Sequence, residues 1–244
     1  MEKLKEIVKS IMMPIMFYAC TLSACNTGNS QELDNQNKDW DFEFPNDVDG
    51  EIDTGWEFYH YVKQTCTSPL ECELYDRTMK DTYAVQLLQD AILAGEAEQH
   101  VAGVSRELFD KSLNELNNDN GRWLSKTVAT NGWFKISSFG YTADTAAFFL
   151  LQHSSNHAFQ KEMLSILLPL AEQGETSKGQ VALLSDRVAI LDDQPQMYGS
   201  QGRCISKNIW EPFDILDPEN LNVKRAQMDL NPIEEYVAEL SGFC

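Results

Sequence analysis

Apolar residues recur at helical spacing through most of the chain beyond residue 58, and this period constrains the fold more than any other feature. Side chains three or four positions apart share one face of a helix, so each such stretch predicts a helix. The best strand signal is residues 133–140, and one short strand cannot make a sheet. The sequence therefore predicts a mainly α fold, a compact multi-helix bundle with an irregular C-terminal wrap after Gly202. Helices are expected at residues 74–95, 105–116, 120–132, 142–153, 158–174, 176–191 and 232–240.

Residues that favour helix ends flank several of these stretches. Ser105, Thr142 and the Thr-Ser pair at 176–177 are expected to cap helix N-termini through their hydroxyl oxygens. Gly95 and Gly132 are expected to end helices, because glycine adopts the left-handed backbone of a C-cap without strain. The stretch 142–153 is apolar nearly all round, which predicts a buried central helix.

The N-terminus has the pattern of an export signal. Lys3, Lys5 and Lys9 precede an apolar stretch, residues 11–24, that is too short to span a bilayer. It ends in Leu-Ser-Ala-Cys, which resembles the bacterial lipobox, so residues 1–24 are expected to be a lipoprotein signal peptide and Cys25 the lipidated residue. The alternative is an ordinary cleaved signal peptide with a chance cysteine. Because Asn26 rather than an aspartate follows, we expect anchoring at the outer membrane, facing the periplasm of a bacterial cell envelope.

Charge separates a tether from the domain. Residues 26–57 hold ten acidic residues and one lysine with little apolar periodicity, so residues 25–57 are expected to form a disordered acidic tether. The remainder, residues 58–244, is long enough for one helical domain. Without residues 1–24 the chain has 16 basic and 36 acidic residues, a formal charge of −20. This charge argues against binding nucleic acid, although it equally serves solubility.

The cysteine count fits export to an oxidising compartment. Once Cys20 leaves with the signal and Cys25 takes the lipid, four cysteines remain. Cys66 and Cys72 flank a short loop, so we expect them to pair with each other and Cys204 to pair with Cys244. A zinc site is the rival interpretation, but no C-x-x-C spacing supports it.

His153 is the first candidate for chemistry, because it ends the most apolar helix of the chain. A polar ring there needs a hydrogen-bond partner, which makes a satisfied core histidine or a dipole-favoured helix end the plain interpretation. The functional interpretation is a general base or a ligand contact. His157 lies four residues on, but the intervening Ser-Ser-Asn is expected to break the helix, which disfavours a two-histidine metal site.

Asp186 and Arg187 are adjacent in the middle of the predicted helix 176–191. Their side chains point about 100° apart, so they cannot pair closely with each other, and one is expected to border the core and seek another partner. A solvated charge pair is the alternative. Asp192 and Asp193 end the same helix, where negative charge opposes the dipole; we favour a harmless exposed turn there.

Motifs with strong catalytic or cofactor signals are missing from the sequence. It contains no nucleophile elbow, phosphate-binding loop, dinucleotide fingerprint or H-E-x-x-H pair. We therefore predict neither a cofactor nor a metal, and whether the protein is an enzyme stays open.

Several segments in a fixed order resemble an uncharacterised bacterial domain family. They are a Trp before the central helix, a Gln-His pair ending it, a Leu-x-Asp-Arg helix, a Gln-Pro-Gln-x-Tyr-Gly-x-Gln segment and an Asp-Pro-Glu-x-Leu stretch, over about residues 110–238. The family resembled has no activity to transfer. The chain departs from the pattern at Ser-Ser-Asn-His-Ala-Phe-Gln, where Asn156 or His157 would replace an aspartate. The resemblance points to Trp133, Gln152, His153, Asp186, Arg187, Gln194, Gln196, Tyr198, Gly199, Gln201, Asp217 and Pro218.

Three functions remain open at this point. The leading hypothesis is a lipid-anchored envelope protein that binds a small polar ligand or an envelope component through His153 and through polar side chains between residues 187 and 201. The first alternative is a hydrolase or transferase with His153 as general base and Asp186 as its orienting partner. The second is a structural or interaction lipoprotein that contacts an envelope protein. Residues 194–201 are interpreted as a rigid loop facing His153 that serves either as site or as scaffold. The ligand contacts are expected from Arg187, Gln194, Gln196, Tyr198 and Gln201.

Overall fold

A computed structural model describes residues 66–93 and 99–244, so the predicted signal peptide, Cys25 and the predicted tether lie outside the described residues. Seven helices run in chain order through these ranges: α1 (Pro69–Leu93), α2 (Arg106–Asn131), α3 (Ile136–His153), α4 (His157–Glu172), α5 (Lys178–Leu191), α6 (Leu221–Gln227) and α7 (Ile233–Ser241). Two small antiparallel pairs accompany them, β1 (His100–Val101) with β2 (Val104–Ser105) and β3 (Gly202–Ser206) with β4 (Ile209–Pro212). The predicted mainly α fold is confirmed.

The central helix α3 organises the core. Every residue from Ala143 to His153 is buried, α1 and α2 pack along this helix, and α4 packs against α5. The main apolar cluster gathers side chains from all five long helices, among them Leu74, Leu124, Phe148, Met163 and Leu184. A smaller cluster of Trp210, Tyr236 and Leu240 joins the β3–β4 hairpin to α7. None of the helices in the described ranges is long and apolar enough to cross a membrane.

Capping explains several helix starts. Ser105 accepts a hydrogen bond from the Leu108 backbone N–H at the start of α2, and Ser177 accepts one from Gln180 at the start of α5. Both caps were predicted. Asn156 caps α4 through Phe159, which confirms that the Ser-Ser-Asn stretch breaks the helix between His153 and His157. Gly132 ends α2 as predicted, whereas the predicted end at Gly95 lies outside the described residues.

The strand predicted at 133–140 is wrong, and the helix predicted from Thr142 is the part of α3 that follows a kink at Gly140. Helix α3 begins at Ile136 and is kinked at Gly140, where φ is 81°. Before it, Trp133 and Phe134 turn inward and are buried in the core. The backbone N–H of Ile136 donates to the Glu175 carbonyl, so this segment pairs with the loop before α5 rather than with another strand.

The two helices predicted at 105–116 and 120–132 are one continuous helix, α2. Gly121 lies inside it because a β-carbon there would overlap the Ser154 hydroxyl, so the glycine permits close packing against the end of α3. The wrap after Gly202 is more regular than predicted, since it forms the β3–β4 hairpin, a 3-10 turn at Pro218–Asn220, and helices α6 and α7.

Both predicted disulfides are present. Cys66 joins Cys72 just before and within the first turn of α1, with a Cα–Cα distance of 5.2 Å. Cys204 joins Cys244 with a Cα–Cα distance of 5.6 Å, so strand β3 is tied to the C-terminal residue.

Candidate functional site

His153 is buried at the last turn of α3 and contacts a carboxylate that comes from α1. Its Nδ1 lies 2.5 Å from Oδ2 of Asp81, and both side chains are almost fully buried. A carboxylate on Nδ1 orients the ring, and Nε2 is the other polar atom of the imidazole. Nε2 makes no hydrogen bond to any residue that the structure describes.

Asp81 was missed in the sequence analysis, although the sequence holds a signal for it. It lies on the seam of α1 formed with Leu74, Thr78, Val85 and Leu88, all of which are buried. These positions are separated by alternating steps of four and three, the spacing of an inward-facing helical stripe. A charged residue on such a stripe needs a buried partner, and His153 supplies it.

Gln152 precedes His153 and has no accessible surface. Within the described part of the chain, neither its amide oxygen nor its amide nitrogen forms a hydrogen bond. Burying an amide without a partner costs about 1–3 kcal/mol, so such a group is uncommon in a folded protein. The end of α3 therefore carries an unsatisfied amide beside an imidazole with an unsatisfied nitrogen.

Neighbouring helices bring further polar groups to the same end of α3. The Gln160 amide nitrogen, from α4, donates to the backbone carbonyls of Leu151, Gln152 and Ser154 at 2.9–3.2 Å. Asn120 precedes the glycine that packs on Ser154 and accepts a hydrogen bond from Arg77 of α1. Asn120 Nδ2, Gln160 Oε1 and Asp81 Oδ1 are buried and lack partners among the described residues. We call Asp81, Asn120, Gln152, His153 and Gln160 the helix-end cluster.

The predicted second half of the site, residues 194–201, is held by Asp186. One carboxylate oxygen accepts the backbone N–H groups of Met197 and Tyr198 at 2.8 and 2.9 Å, and the other accepts that of Ser200 at 2.8 Å. Burial raises the pKa of the Asp186 carboxyl in spite of these three donors. Asp186 thus acts as the anchor of the loop.

Gln196 closes this loop on itself. Its amide oxygen accepts the Gln201 N–H at 2.8 Å, and its amide nitrogen donates to the carbonyls of Gln201 and Phe213 at 2.7 and 2.9 Å. The Gln196 side chain is fully buried, and its hydrogen-bonding capacity is used inside the protein.

The C-terminal helices hold the same loop from outside. Arg225 of α6 donates to the Tyr198 carbonyl at 2.6 Å, and the Tyr236 hydroxyl of α7 donates to the Ser200 carbonyl at 3.1 Å. Gly199 has a φ of 69°, and a β-carbon there would lie 3.1 Å from Ile233 Cδ1. We call residues 194–201, with Asp186, Arg225 and Tyr236, the loop hub.

The structure overturns the pairing of His153 with Asp186. His153 bonds to Asp81 through Nδ1 and to no residue of the loop hub, while both Asp186 oxygens accept backbone N–H groups of the loop. The orienting partner of His153 is Asp81, so Asp186 is removed as a catalytic candidate. This error arose because Asp186 lies in a recognisable motif, whereas Asp81 lies in a helix without one.

The residues expected to contact a ligand occupy different surroundings. Arg187 is buried within α5, and Tyr198 is half-buried, with burial and the nearby Asp186 charge raising the pKa of its phenol. Gln194 is exposed and bonds to the carbonyls of Asp192 and Asp193, so its amide is occupied locally. Gln201 is buried and donates to the Ser200 hydroxyl.

Three other residues highlighted by the resemblance have structural contacts. Trp133 donates to Asp144 at 2.7 Å, and Asp144 also accepts the Ser177 backbone N–H at 3.3 Å. Burial raises the pKa of Asp144, which joins the start of α3 to the start of α5. Asp217 pairs with Lys224 at 2.8 Å, and Pro218 starts the 3-10 turn.

The described residues contain no group of three or more His, Cys, Asp or Glu side chains arranged to hold a metal ion. His157 lies on α4 and its Nε2 is 3.4 Å from Asp192, so it faces the end of α5. Asp192 also accepts from Lys161 at 2.6 Å, a partly exposed contact that favours the interpretation of a harmless turn.

No curated protein and no solved structure matches the chain. One family model matches residues 84–242, which is more than half of the chain and starts before the region of about 110–238 that carried the resemblance. His153, Gln152 and the loop hub fall inside this range, while Asp81 lies just before it. The chain belongs to this family, described as a family of unknown function (DUF6624).

Proposed function

We propose that the protein is a lipid-anchored component of a bacterial cell envelope whose helical domain binds a small polar ligand at the helix-end cluster. The observation that carries this proposal is Gln152, whose amide is fully buried with neither atom hydrogen-bonded to a described residue. His153 Nε2 and Asp81 Oδ1 add two more buried atoms without partners.

The energetic cost of these atoms supports a binding role. Each unpaired buried polar group costs about 1–3 kcal/mol, whereas an apolar side chain of the same size would cost nothing of this kind. A polar ligand that supplies the missing hydrogen bonds recovers that cost on binding. Gln196 and Asp186 of the loop hub offer no comparable group of unbonded buried atoms, because their side-chain atoms are already hydrogen-bonded within the protein.

Screening by thermal shift tests the ligand proposal. Wild type is heated with small amines, carboxylates, amides and polyols, and a specific ligand is expected to raise Tm by linkage to the folded state. The matched variant is Gln152→Met, which keeps the size of the side chain and removes its hydrogen bonds. A compound that stabilises wild type and not this variant supports the proposal; a screen in which no compound does so contradicts it.

The anchor has separate support. The basic start, the short apolar stretch and Leu-Ser-Ala-Cys favour lipidation at Cys25, and the two disulfides fit an oxidising compartment. Labelling cells with a fatty-acid probe is expected to mark wild type and leave Cys25→Ser unlabelled. An unlabelled wild-type protein would remove the anchor from the proposal and leave ligand binding untouched.

One observation favours a second candidate, a hydrolase or transferase. A histidine oriented by a buried aspartate through Nδ1, with Nε2 unbonded, is the arrangement of a general base. Asp81 takes the orienting role that the sequence analysis gave to Asp186.

This candidate is tested with esters, amides and phosphoesters as model substrates. The double variant Asp81→Asn, His153→Gln removes the base together with its partner. A single substitution at His153 would leave the buried Asp81 carboxylate unpaired, and the double variant avoids this. Turnover by wild type that the double variant lacks would establish catalysis. Equal rates for both proteins would exclude His153 as the base.

A further inference from the structure

The chemistry of the helix-end cluster narrows the class of ligand, and this inference rests on the proposed function. Three of its five side chains are carboxamides: Asn120, Gln152 and Gln160. Their unbonded atoms are Asn120 Nδ2, both amide atoms of Gln152, and Gln160 Oε1, so donors and acceptors occur together.

The two ionisable side chains of the cluster contact each other. The Asp81 carboxylate lies against the His153 ring, and both side chains are at most 2% exposed. The three amides are neutral. A ligand with a net charge would have to leave water for a buried site whose one carboxylate already contacts the imidazole, and burying a charge without a dedicated partner is costly.

The two remaining unbonded atoms are His153 Nε2 and Asp81 Oδ1. The carboxylate oxygen accepts hydrogen bonds, whereas Nε2 donates or accepts according to the tautomer of the ring. The complementary ligand must therefore donate to the carboxylate, and must also both donate to and accept from the amides. Hydroxyl groups do this, since each has one donor and two acceptor lone pairs.

We propose that the helix-end cluster binds a small neutral polyol or sugar, with neighbouring hydroxyl groups bonded to Gln152, to His153 Nε2 and to Asp81. The cluster lies close to the surface, because the chain passes from fully buried Gln152 to exposed Ser155 within three residues.

The test uses isothermal titration calorimetry and thermal shift on the full mature chain. The probes are glucose, myo-inositol and glycerol, with putrescine and succinate as charged probes of similar size. Gln152→Met is the site variant. Gln180→Met is the matched control, since Gln180 is also a buried glutamine with an unbonded amide oxygen but lies at the first turn of α5, bonded to Thr145.

The control matters because polyols stabilise folded proteins generally through exclusion from the surface. We expect one neutral probe to bind wild type saturably and to raise its Tm. Gln180→Met should keep both effects, whereas Gln152→Met should bind the probe at least tenfold more weakly. Equal Tm increases in all three proteins without calorimetric binding would overturn the assignment.

The outcomes separate this inference from the proposed function. If putrescine or succinate binds and needs Gln152 while the neutral probes do not, the ligand class is wrong and the binding site stands. If no probe of any class binds, both the ligand class and the small-ligand function fall.

Discussion

Two buried polar regions of this protein differ in how completely their hydrogen bonds are satisfied. In the loop hub, Asp186 accepts three backbone N–H groups and Gln196 makes three hydrogen bonds of its own. In the helix-end cluster, Gln152 makes none with its side chain, and His153 uses one nitrogen of two. Polar groups that are hydrogen-bonded to one another stabilise one structure. Buried polar groups without partners can instead receive their missing hydrogen bonds from a ligand.

This difference reverses the expectation drawn from the motifs. The Gln-Pro-Gln-x-Tyr-Gly-x-Gln segment has the more conspicuous sequence, yet its buried glutamines hold the loop together. The less conspicuous Gln-His pair carries the unsatisfied atoms. The predictions below test whether the loop hub is scaffold and the helix-end cluster is site.

The largest expected effect is that of Asp186→Ala. Three backbone N–H groups, two partly buried and one buried, would lose their acceptor at once, and we expect the free energy of unfolding to fall by about 5 kcal/mol. Urea unfolding followed by circular dichroism measures it. The control is Asp192→Ala, because this partly exposed carboxylate at the C-terminal end of the same helix should cost far less. Similar losses for the two variants would contradict the anchoring role of Asp186.

Removal of the Cys204–Cys244 disulfide, which ties strand β3 to the C-terminal residue, is expected to have the next largest effect on the free energy of unfolding. Cys204 and Cys244 are 40 residues apart, whereas Cys66 and Cys72 are six apart. Since a cross-link restricts the unfolded chain more when it closes a longer loop, replacing the first pair with serine should cost about 4 kcal/mol and the second about 2 kcal/mol. The same unfolding measurement compares them, and a larger loss from the shorter bridge would contradict this ranking.

The smallest expected effect concerns the exposed pair of Lys161 and Asp192, which serves as a surface reference for the two buried regions. The Lys161 hydrogen bond holds the pKa of Asp192 below its usual value. The stabilisation is therefore fully present above the unfolded pKa of about 4 and is lost as pH falls through the lower folded value. The gap in stability between wild type and Asp192→Asn should shrink on acidification below about pH 4. If the difference in stability between the two proteins grew on acidification, the predicted direction of the pH dependence would be wrong.

Sequence reasoning succeeded where local chemistry decides the structure. Neighbouring residues predicted the caps at Ser105 and Ser177, the helix break at Ser-Ser-Asn, both disulfides and the buried helix ending at His153. It failed where a distant contact decides. Gly121 is needed within the long helix because Ser154 packs where a β-carbon would lie, a contact that no local pattern shows.

Only part of the candidate site was predicted from the sequence. His153 was found because a polar residue ends an apolar helix, but its partner lies 72 positions away on α1. The seam position of Asp81 could have indicated a buried carboxylate, yet not which residue it meets. The roles of Asp186 and Gln196 could not be predicted, because they depend on how the loop folds back onto α5 and onto residues 213–216.

The central claim is tested most directly by making the same substitution at two buried glutamines and measuring the free energy of unfolding without ligand. Gln196→Met should lose about 2–4 kcal/mol, because the Gln201 N–H and the Phe213 carbonyl lose this partner and the Gln201 carbonyl keeps only the Phe213 N–H. Gln152→Met should stay within about 1 kcal/mol of wild type or be more stable, because no bond is lost and an unpaired amide is removed. A loss at Gln152 as large as that at Gln196 would contradict the division into site and scaffold.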